Sequence, residues 1–240
     1  MLSYAYRQLL WERLKRREPF VVQDVRKLNG TVAQVTLHPQ AKPIRHRAGQ
    51  FLYVYFDADK ILREPHPFTI SSAPHEPDVR LSIKASGDWT QYLHENLKQG
   101  AQGFVDGPYG EFDYRTGGGK QVWIAAGIGI TPFLSWMRAF DEQPPDREIE
   151  FFYTTNVPEE ALFLDEIEKA SKQPGFRAHV LHTTRDGRLS VDKVIAQTGE
   201  ASDKDIYMCG PIGMVEAFKN AFMRRGVPAG KIHYEEFNFR

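Results

Sequence analysis

A run of seven residues combines the side chains that a flat, phosphate-bearing heterocycle would need. The run is His66-Pro67-Phe68-Thr69-Ile70-Ser71-Ser72: a basic ring, a rigid proline, an aromatic ring, a hydroxyl and a small polar pair. An aromatic ring and a hydroxyl can lie along a heterocycle, and further donors are left for phosphate. The run predicts a site for a flat, phosphorylated cofactor.

A second stretch, Arg80 to Thr90, indicates a strand, a glycine turn at Gly87 and the start of a helix near Asp88. A helix N-terminus presents unpaired N–H groups and the positive end of the helix dipole, which suits a pyrophosphate. Lys84 adds a positive charge and Thr90 adds a hydroxyl. The alternative is an ordinary strand-to-helix turn in which Asp88 caps the helix.

The third motif is a glycine loop between an apolar strand and a helix. The strand that begins at Val122 continues into Gly127-Ile128-Gly129-Ile130-Thr131-Pro132. Glycines let the backbone approach a ligand, and proline suits the first helical turn. In a strand–turn–helix context this is a candidate dinucleotide loop, although Pro132 stands where the Rossmann fingerprint has its third glycine.

The single cysteine of the chain, Cys209, ends the last predicted parallel strand and is followed by Gly210 and Pro211. Ligands of open α/β sheets bind beyond the carboxyl ends of the strands, so Cys209 is expected beside the ligand. The alternative is a small buried thiol in front of a helix. One cysteine can form neither an internal disulfide nor a protein-held iron–sulfur cluster.

The motifs, in the order in which they follow one another along the chain, resemble those of the ferredoxin-NADP reductase superfamily. The resemblance extends from about Pro19 to Arg240. The His-Pro-Phe-Thr form is similar to that of NADPH oxidases and ferric reductases, whose dehydrogenase portion we expect to be the nearest subgroup. The resemblance implies hydride transfer from NADPH to FAD, followed by the release of single electrons. It implies FAD contacts from His66, Pro67, Phe68, Thr69, Ser72, Lys84, Gly87, Asp88, Trp89 and Thr90, and dinucleotide contacts from Gly127, Gly129, Thr131, Pro132, Cys209, Gly210 and Pro211.

The C-terminal segment 232–240 is similar to the family's terminal strand, whose Glu-x-aromatic pattern lays a ring over the flavin. That likeness maps Glu235 and Phe237 onto the flavin site, with Phe239 as the alternative ring. The implied catalytic residues are therefore Thr69, Cys209, Glu235 and Phe237.

Discrimination between NADPH and NADH is expected to depend on an arginine, because a planar guanidinium can bind a 2′-phosphate through two hydrogen bonds. The chain has Thr154-Thr155-Asn156 where some family members place an arginine, and Arg185 or Arg188 could serve instead. We expect NADPH as the preferred substrate, with NADH as the alternative. His179 and His182 lie three residues apart on a predicted strand and face opposite sides, so we expect no metal there.

The elements that must position these motifs change character along the chain. Residues 19–115 carry short alternating strands separated by glycine and proline turns, which predicts an antiparallel β-barrel with one helix near 88–97. After a glycine-rich, flexible linker at 116–120, residues 120–240 alternate strand and helix, which predicts a parallel-sheet α/β domain. One helix of this domain is expected from Pro158 to about Ala170.

Composition limits the class of protein. Of 240 residues, 41% are hydrophobic and 26% are charged, as in soluble globular proteins. The formal net charge is zero, so no global field attracts nucleic acid. The longest apolar runs fall short of the ~18 residues that span a bilayer. We therefore expect a soluble protein of the cytoplasm.

The first 18 residues form a separate segment, in which Leu2, Tyr6, Leu10 and Leu14 recur at helical spacing among basic residues. We interpret residues 1–18 as a basic amphipathic helix that contacts the cytoplasmic face of a membrane. The alternative is a surface helix packed on the protein. By resemblance, the electron acceptor would be a membrane haem domain. A soluble reductase component that feeds an oxygenase or haem protein is the alternative, and a non-enzymatic flavin-binding module is a third hypothesis.

Overall fold

The computed structural model describes residues 18–235. The predicted N-terminal amphipathic helix, and the rings of Phe237 and Phe239, lie outside the described residues. Between residues 18 and 235, no helix is long and apolar enough to cross a membrane.

In the described part of the chain, six antiparallel strands form the first sheet, in the order β4-β3-β6-β1-β2-β5. The strands are β1 Glu18–Lys27, β2 Val32–Pro39, β3 Phe51–Phe56, β4 His66–Thr69, β5 Val79–Lys84 and β6 Gln102–Tyr109, with helix α1 at Asp88–Asn96. A bridge between Ile70 and Leu81 joins the end of β4 to β5, so the sheet nearly closes. The predicted antiparallel barrel is confirmed.

Alternation along the strands decides which side chains fill the barrel. Leu52 of β3 is fully buried, whereas its neighbour Tyr53 is exposed. Directly opposite residues of antiparallel strands share a face, and the register pairs Leu52 with Phe68 and Phe51 with Thr69. Phe68 therefore points into the barrel, while Thr69 and Phe51 point outward.

Within the described residues, five parallel strands form the second sheet, in the order β11-β10-β7-β8-β9. The strands are β7 Lys120–Ala126, β8 Glu148–Thr155, β9 Phe176–His182, β10 Asp205–Cys209 and β11 Ile232–Glu235. The helices that pack on them are α2 Thr131–Ala139, α3 Leu164–Ala170, α4 Thr183–Asp186, α5 Val191–Thr198 and α6 Ile212–Arg224. The predicted parallel α/β fold is confirmed.

The core of the second sheet extends across the junction with the barrel. Residues 122–125 of β7 are fully buried, as expected for a parallel sheet that is covered on both faces. Trp123 of β7 and Trp136 of α2 pack in one cluster with Phe112, which follows the last barrel strand. The rings of Trp136 and Phe112 stack with centroids 4.8 Å apart. The core of the second sheet therefore extends onto segments that flank the barrel strands, while the barrel interior forms a cluster of its own.

The glycine-rich segment 116–120 is not a flexible linker, contrary to the prediction. The Gly118 N–H donates to Asp205 Oδ2 at 3.0 Å. A Cβ atom on Gly117 would lie 2.5 Å from the hydroxyl oxygen of Tyr207. Both partners belong to β10, so the small residues allow this segment to pack closely against the second sheet.

The helix predicted over Pro158 to Ala170 is shorter than expected. A single 3-10 turn covers Pro158–Glu160, and α3 begins at Leu164. Phe163, immediately before α3, has φ +60, a left-handed conformation that interrupts a helix. Apolar spacing does not register a single left-handed residue, which is why the pattern suggested one continuous helix.

Candidate functional site

Thr69, at the end of β4, carries a hydroxyl that is buried and unpaired. Its side chain is 3% exposed, and Oγ1 has no hydrogen-bond partner within residues 18–235. Leaving a buried polar group unpaired costs about 1–3 kcal/mol, so native structures rarely do so without a reason. A bound cofactor that supplies the missing hydrogen bond fits this position.

Two more unpaired polar atoms lie nearby, on the other side of β4 and in the first turn of α1. His66 Nε2 and Trp89 Nε1 are buried without a hydrogen-bond partner in the described part of the chain. The two rings are in contact, with centroids 4.5 Å apart. Burial lowers the pKa of His66 and outweighs the opposing effect of Glu64, so the ring is neutral near pH 7. His66 and Trp89 lie on the side of β4 that carries Phe68, and Thr69 lies on the opposite side. The three residues surround β4 with unused hydrogen-bonding capacity, and we call them the flavin wall.

Phe68 supports the flavin wall from inside the barrel. Its ring is 9% exposed and stacks on Trp89 at 5.6 Å. The sequence motif assigned Phe68 to the cofactor, but its side chain points away from the face that carries Thr69. Trp89 is the aromatic residue of the wall that carries the unpaired donor.

Helix α1 begins at the flavin wall, because Trp89 lies in its first turn. Its N-cap, Gly87, has open space where a side chain would be, and Lys84 is exposed nearby at the end of β5. The Thr90 hydroxyl accepts from the N–H groups of Ser86 and Gly87, both at 3.0 Å. Thr90 therefore caps its own helix, and the first-turn N–H groups, including that of exposed Asp88, are the better phosphate donors.

Ser72 is fully buried between the two sheets. Its hydroxyl accepts from the backbone N–H of Arg80 at 3.1 Å, and its carbonyl accepts from the Ser135 hydroxyl of α2 at 2.7 Å. These bonds give Ser72 a structural role at the junction. Direct cofactor binding by Ser72 stays a prediction.

The predicted dinucleotide loop forms a 3-10 turn, Gly127–Ile130, between β7 and α2. Gly127 has φ +53 and open space where a side chain would be, so its backbone is available to a ligand. A Cβ atom on Gly129 would lie 2.3 Å from the Cys209 carbonyl oxygen, so the loop rests directly on the end of β10. Thr131 donates to the Ile128 carbonyl at 3.1 Å and, with Pro132, starts α2.

Cys209 and Glu235 lie side by side at the carboxyl ends of β10 and β11. Cys209 is fully buried, and burial, with a smaller effect of Glu235, raises the pKa of its thiol well above its usual range. The thiol is therefore neutral. Next to it, Gly210 packs against Ala126 and Met214, and Pro211 is exposed at the start of α6.

The half-buried carboxylate of Glu235 meets the outer face of the barrel. Glu235 Oε1 lies 3.6 Å from the Cβ position of Gly110, which also contacts the ring of Phe51. Phe51 is the direct cross-strand neighbour of Thr69. The second sheet thus places an acidic group beside the outward face of the flavin wall. Burial raises the pKa of Glu235 to about 7.

The pKa of Glu235 is about 7 in the folded protein and 4.5 in the unfolded chain. We therefore expect the contribution of Glu235 to the stability of the cofactor-free protein to fall as the pH rises from 4.5 through about 7. Glu235→Gln should remove this component, so the variant should melt higher than the parent protein above pH 7 and alike below pH 4.5. Glu111→Gln, which alters an exposed carboxylate, is the control. Equal melting temperatures of parent and Glu235→Gln at every pH would contradict the shifted pKa.

Three aromatic rings on the outer barrel face were missed by the sequence reading. Phe51, Tyr53 and Tyr109 lie with centroids 5.9–6.1 Å apart, and the last two are 38% and 42% exposed. Pro67 lies opposite Tyr53 and extends this face toward Thr69. The alternation of aromatic residues along β3 was the available signal. Exposed aromatic clusters of this kind commonly mark binding surfaces.

Arg185 lies in the short helix α4, at the carboxyl end of β9. Its exposed guanidinium donates twice to Asp186, at 2.9 Å each. Arg185 lowers the pKa of Asp186 to about 2. The Thr184 N–H and hydroxyl both bind the Asn156 carbonyl at 3.0 Å, which joins the turns that follow β8 and β9. The structure therefore brings Arg185 to the ligand edge of the sheet, near Asn156.

The two strand histidines have separate partners. His179 Nε2 lies 2.8 Å from Glu150, whereas His182 Nδ1 lies 2.9 Å from the Thr155 hydroxyl. Each ring is thus held within its own local hydrogen-bond pair.

The comparisons with known proteins agree with this geometry. Residues 17–113 match an FAD-binding domain, and residues 123–220 match an oxidoreductase NAD-binding domain. These two matches, in this order, are the FAD-binding and NAD-binding domains that the resemblance to the ferredoxin-NADP reductase superfamily implies. The cofactors of the chain are FAD and NAD(P)H, and the unpaired atoms of the flavin wall and the open glycine loop fit them.

Two curated relatives and one solved structure show the range of similar proteins. The glycine betaine monooxygenase reductase subunit of Chromohalobacter salexigens is 28% identical over 80% of this chain and 56% of its own length. The flavohemoprotein of Bacillus subtilis is 27% identical over 93% of this chain and 60% of its own length. The flavohem-like FAD/NAD-binding domain of a Vibrio cholerae nitric oxide dioxygenase has a TM-score of 0.78 and 26% identity, covering 92% of this chain and 98% of that domain.

The chain therefore spans little more than half the length of these two curated relatives. They are an oxygenase reductase and a flavohaemoprotein, so the narrower assignment to NADPH oxidases and ferric reductases is not shown.

Proposed function

We propose that this chain is an FAD-dependent NAD(P)H reductase that supplies electrons to an oxygenase component or a soluble haem protein. The observation that carries the proposal is the flavin wall of one domain lying beside the dinucleotide edge of the other, where Glu235 and Phe51 both lie next to Gly110. Relatives whose names denote monooxygenase reductase subunits and flavohaemoproteins support this class of acceptor over a membrane haem domain.

Each domain has its own role in the proposed reaction. When bound, FAD accepts a hydride from the nicotinamide and releases electrons singly. The Thr69 hydroxyl and the rings of His66 and Trp89 would hold and orient FAD, while the start of α1 would bind its pyrophosphate. The loop 127–132 would hold the dinucleotide against Cys209. Glu235, with a pKa of about 7, can hold or release a proton at this junction.

NADPH is proposed as the preferred substrate, through Arg185. Arg185→Ala is expected to lower kcat/KM for NADPH by about ten- to a hundredfold, because a charged hydrogen bond contributes about 1.5–3 kcal/mol. The value for NADH should change little. Steady-state kinetics with both substrates measure this, and the same measurement on Arg188→Ala, the alternative arginine three residues away, shows which of the two recognises the 2′-phosphate. Equal losses for NADPH and NADH would exclude Arg185 from 2′-phosphate recognition.

The nature of the acceptor can be tested with the 240-residue chain loaded with FAD. We expect it to reduce a soluble haem protein or oxygenase component in buffer, with a rate that vesicles of anionic phospholipid do not increase. Electron transfer that requires such vesicles, together with co-sedimentation of the chain with them, would instead favour a membrane partner and a membrane contact through residues 1–18. A chain that binds FAD but does not oxidise NAD(P)H would support the non-enzymatic module.

A further inference from the structure

One helix connects the two domains through three buried donors. In α2, the Ser135 hydroxyl donates to the Ser72 carbonyl at 2.7 Å and Trp136 Nε1 donates to the Ala48 carbonyl at 3.0 Å. Arg138 Nη1 donates to the Ser71 carbonyl at 2.5 Å. Ser135 and Trp136 are fully buried, and Arg138 is 8% exposed. Each acceptor is a backbone carbonyl of the barrel, so α2 is attached to the barrel's main chain.

The acceptor carbonyls belong to the segments that carry the flavin wall. Ser71 follows Thr69 by two residues, and Ala48 precedes Phe51 by three. The two segments are themselves joined, because the Ile70 N–H donates to the Gln50 carbonyl at 2.9 Å. A displacement of α2 would therefore act on the backbone that positions Thr69 and Phe51.

Contacts within the second domain fix the orientation of the Arg138 guanidinium. Its Nε and Nη2 atoms donate to the two carboxylate oxygens of Glu166 in α3. Its guanidinium carbon also lies 5.7 Å from the centre of the Phe163 ring. A planar guanidinium that is bound through two edges has little rotational freedom. The contact with Ser71 is thus fixed by the second domain and not by the barrel alone.

The opposite end of α2 is the dinucleotide loop, since Thr131 and Pro132 form its first turn. A helix of nine residues is a rigid element of about 13 Å. We infer that Arg138 is a positioning residue, which fixes the placement of the dinucleotide loop relative to the flavin wall. The inference rests on the proposed reductase function. Small errors in such placement are costly, since a shift of about 1 Å can slow a reaction about a hundredfold.

The test compares Arg138→Met with a matched control in the FAD-loaded chain of residues 1–240. Lys169→Met is the control, because Lys169 pairs with Asp141 between α3 and the turn after α2 without touching the barrel. We expect Arg138→Met to slow anaerobic FAD reduction by NADPH about ten- to a hundredfold. The control should stay within about twofold of the parent protein. Reduction is measured with FAD at saturating concentration, so a change of FAD affinity does not contribute to the rate.

Two readouts separate positioning from general damage. In the cofactor-free protein, hydrogen exchange of segments 46–50 and 70–73 should be faster in Arg138→Met and unchanged in Lys169→Met. Arg138→Lys, which can still donate to Ser71 but cannot bind Glu166 through two edges, should recover part of the reduction rate. Lysine and methionine have similar volumes, so a faster reduction rate in Arg138→Lys than in Arg138→Met would not be expected if only the volume of the side chain mattered.

A folded Arg138→Met protein that is reduced at the rate of the control would overturn the inference, as would equal slowing in both variants. If Arg138→Met does not fold, Ser135→Ala takes its place, with an expected slowing of about three- to tenfold for one lost hydrogen bond; a parental rate there would overturn the inference as well. If the parent protein itself is not reduced by NADPH, the proposed function fails, and the inference fails with it. If the parent protein is reduced and only the variants give the wrong result, the inference alone fails.

Discussion

Gly129→Ala is expected to lower kcat/KM for NAD(P)H by about a hundredfold or more while leaving FAD binding intact. The new Cβ atom would lie 2.3 Å from the Cys209 carbonyl oxygen and 2.8 Å from the Gly210 nitrogen. Both are backbone atoms of the strand end and cannot move aside as a flexible side chain would. The dinucleotide loop must therefore lift from β10, and a shift of about 1 Å at a reacting centre can cost about a hundredfold.

The matched control for this variant is Gly213→Ala. Gly213 lies in the first turn of α6, which follows the same strand, and nothing lies within 4 Å of its Cβ position. Steady-state kinetics with a parallel FAD titration should show near-parental behaviour in this control. A Gly129→Ala protein with parental kcat/KM would show that the loop does not need its close contact with Cys209.

Thr69→Val is expected to have opposite effects on the cofactor-free and the FAD-bound protein. Without cofactor, the substitution removes a buried, unpaired hydroxyl, so the free energy of unfolding should rise by about 1 kcal/mol. With FAD, it would remove the hydrogen bond that we propose between Thr69 and the cofactor, so FAD affinity should fall by about tenfold or less. Thermal melting with and without FAD, together with an FAD titration, measures both effects.

Thr155→Val serves as the contrasting control. Thr155 is also a buried threonine at a strand end, but its hydroxyl donates to the Val157 carbonyl at 3.0 Å and lies 2.9 Å from His182 Nδ1. This substitution should destabilise the protein whether or not FAD is present. If Thr69→Val likewise destabilises the cofactor-free protein and leaves FAD affinity unchanged, Thr69 is a structural residue and not a cofactor contact.

The barrel and the parallel sheet could be predicted because their signals are local. The aromatic residues at alternate positions of β3 and the continuous apolar residues of β7 each define a strand type within six or seven positions. The Gly127–Pro132 loop was also recognisable, since its glycines and proline serve turn geometry that depends on near neighbours. These features need no knowledge of distant partners.

Features that depend on distant partners could not be predicted. The segment 116–120 looked flexible because its anchor, Asp205, is 87 residues away from Gly118. The sequence does not distinguish Arg138 from an exposed arginine, because its partners Ser71 and Glu166 are 67 and 28 residues away. The inward direction of Phe68 likewise depends on the register with β3 and not on the motif itself.

The most direct test of this account is anaerobic mixing of the FAD-loaded chain with NADPH or NADH, followed by the visible absorbance of the flavin. The flavin wall and the dinucleotide loop meet at one junction, so we predict that the absorbance bleaches with either dinucleotide and faster with NADPH. Flavin that is fully bound yet keeps its oxidised spectrum with both dinucleotides would contradict the assignment of this protein as an NAD(P)H-dependent flavin reductase.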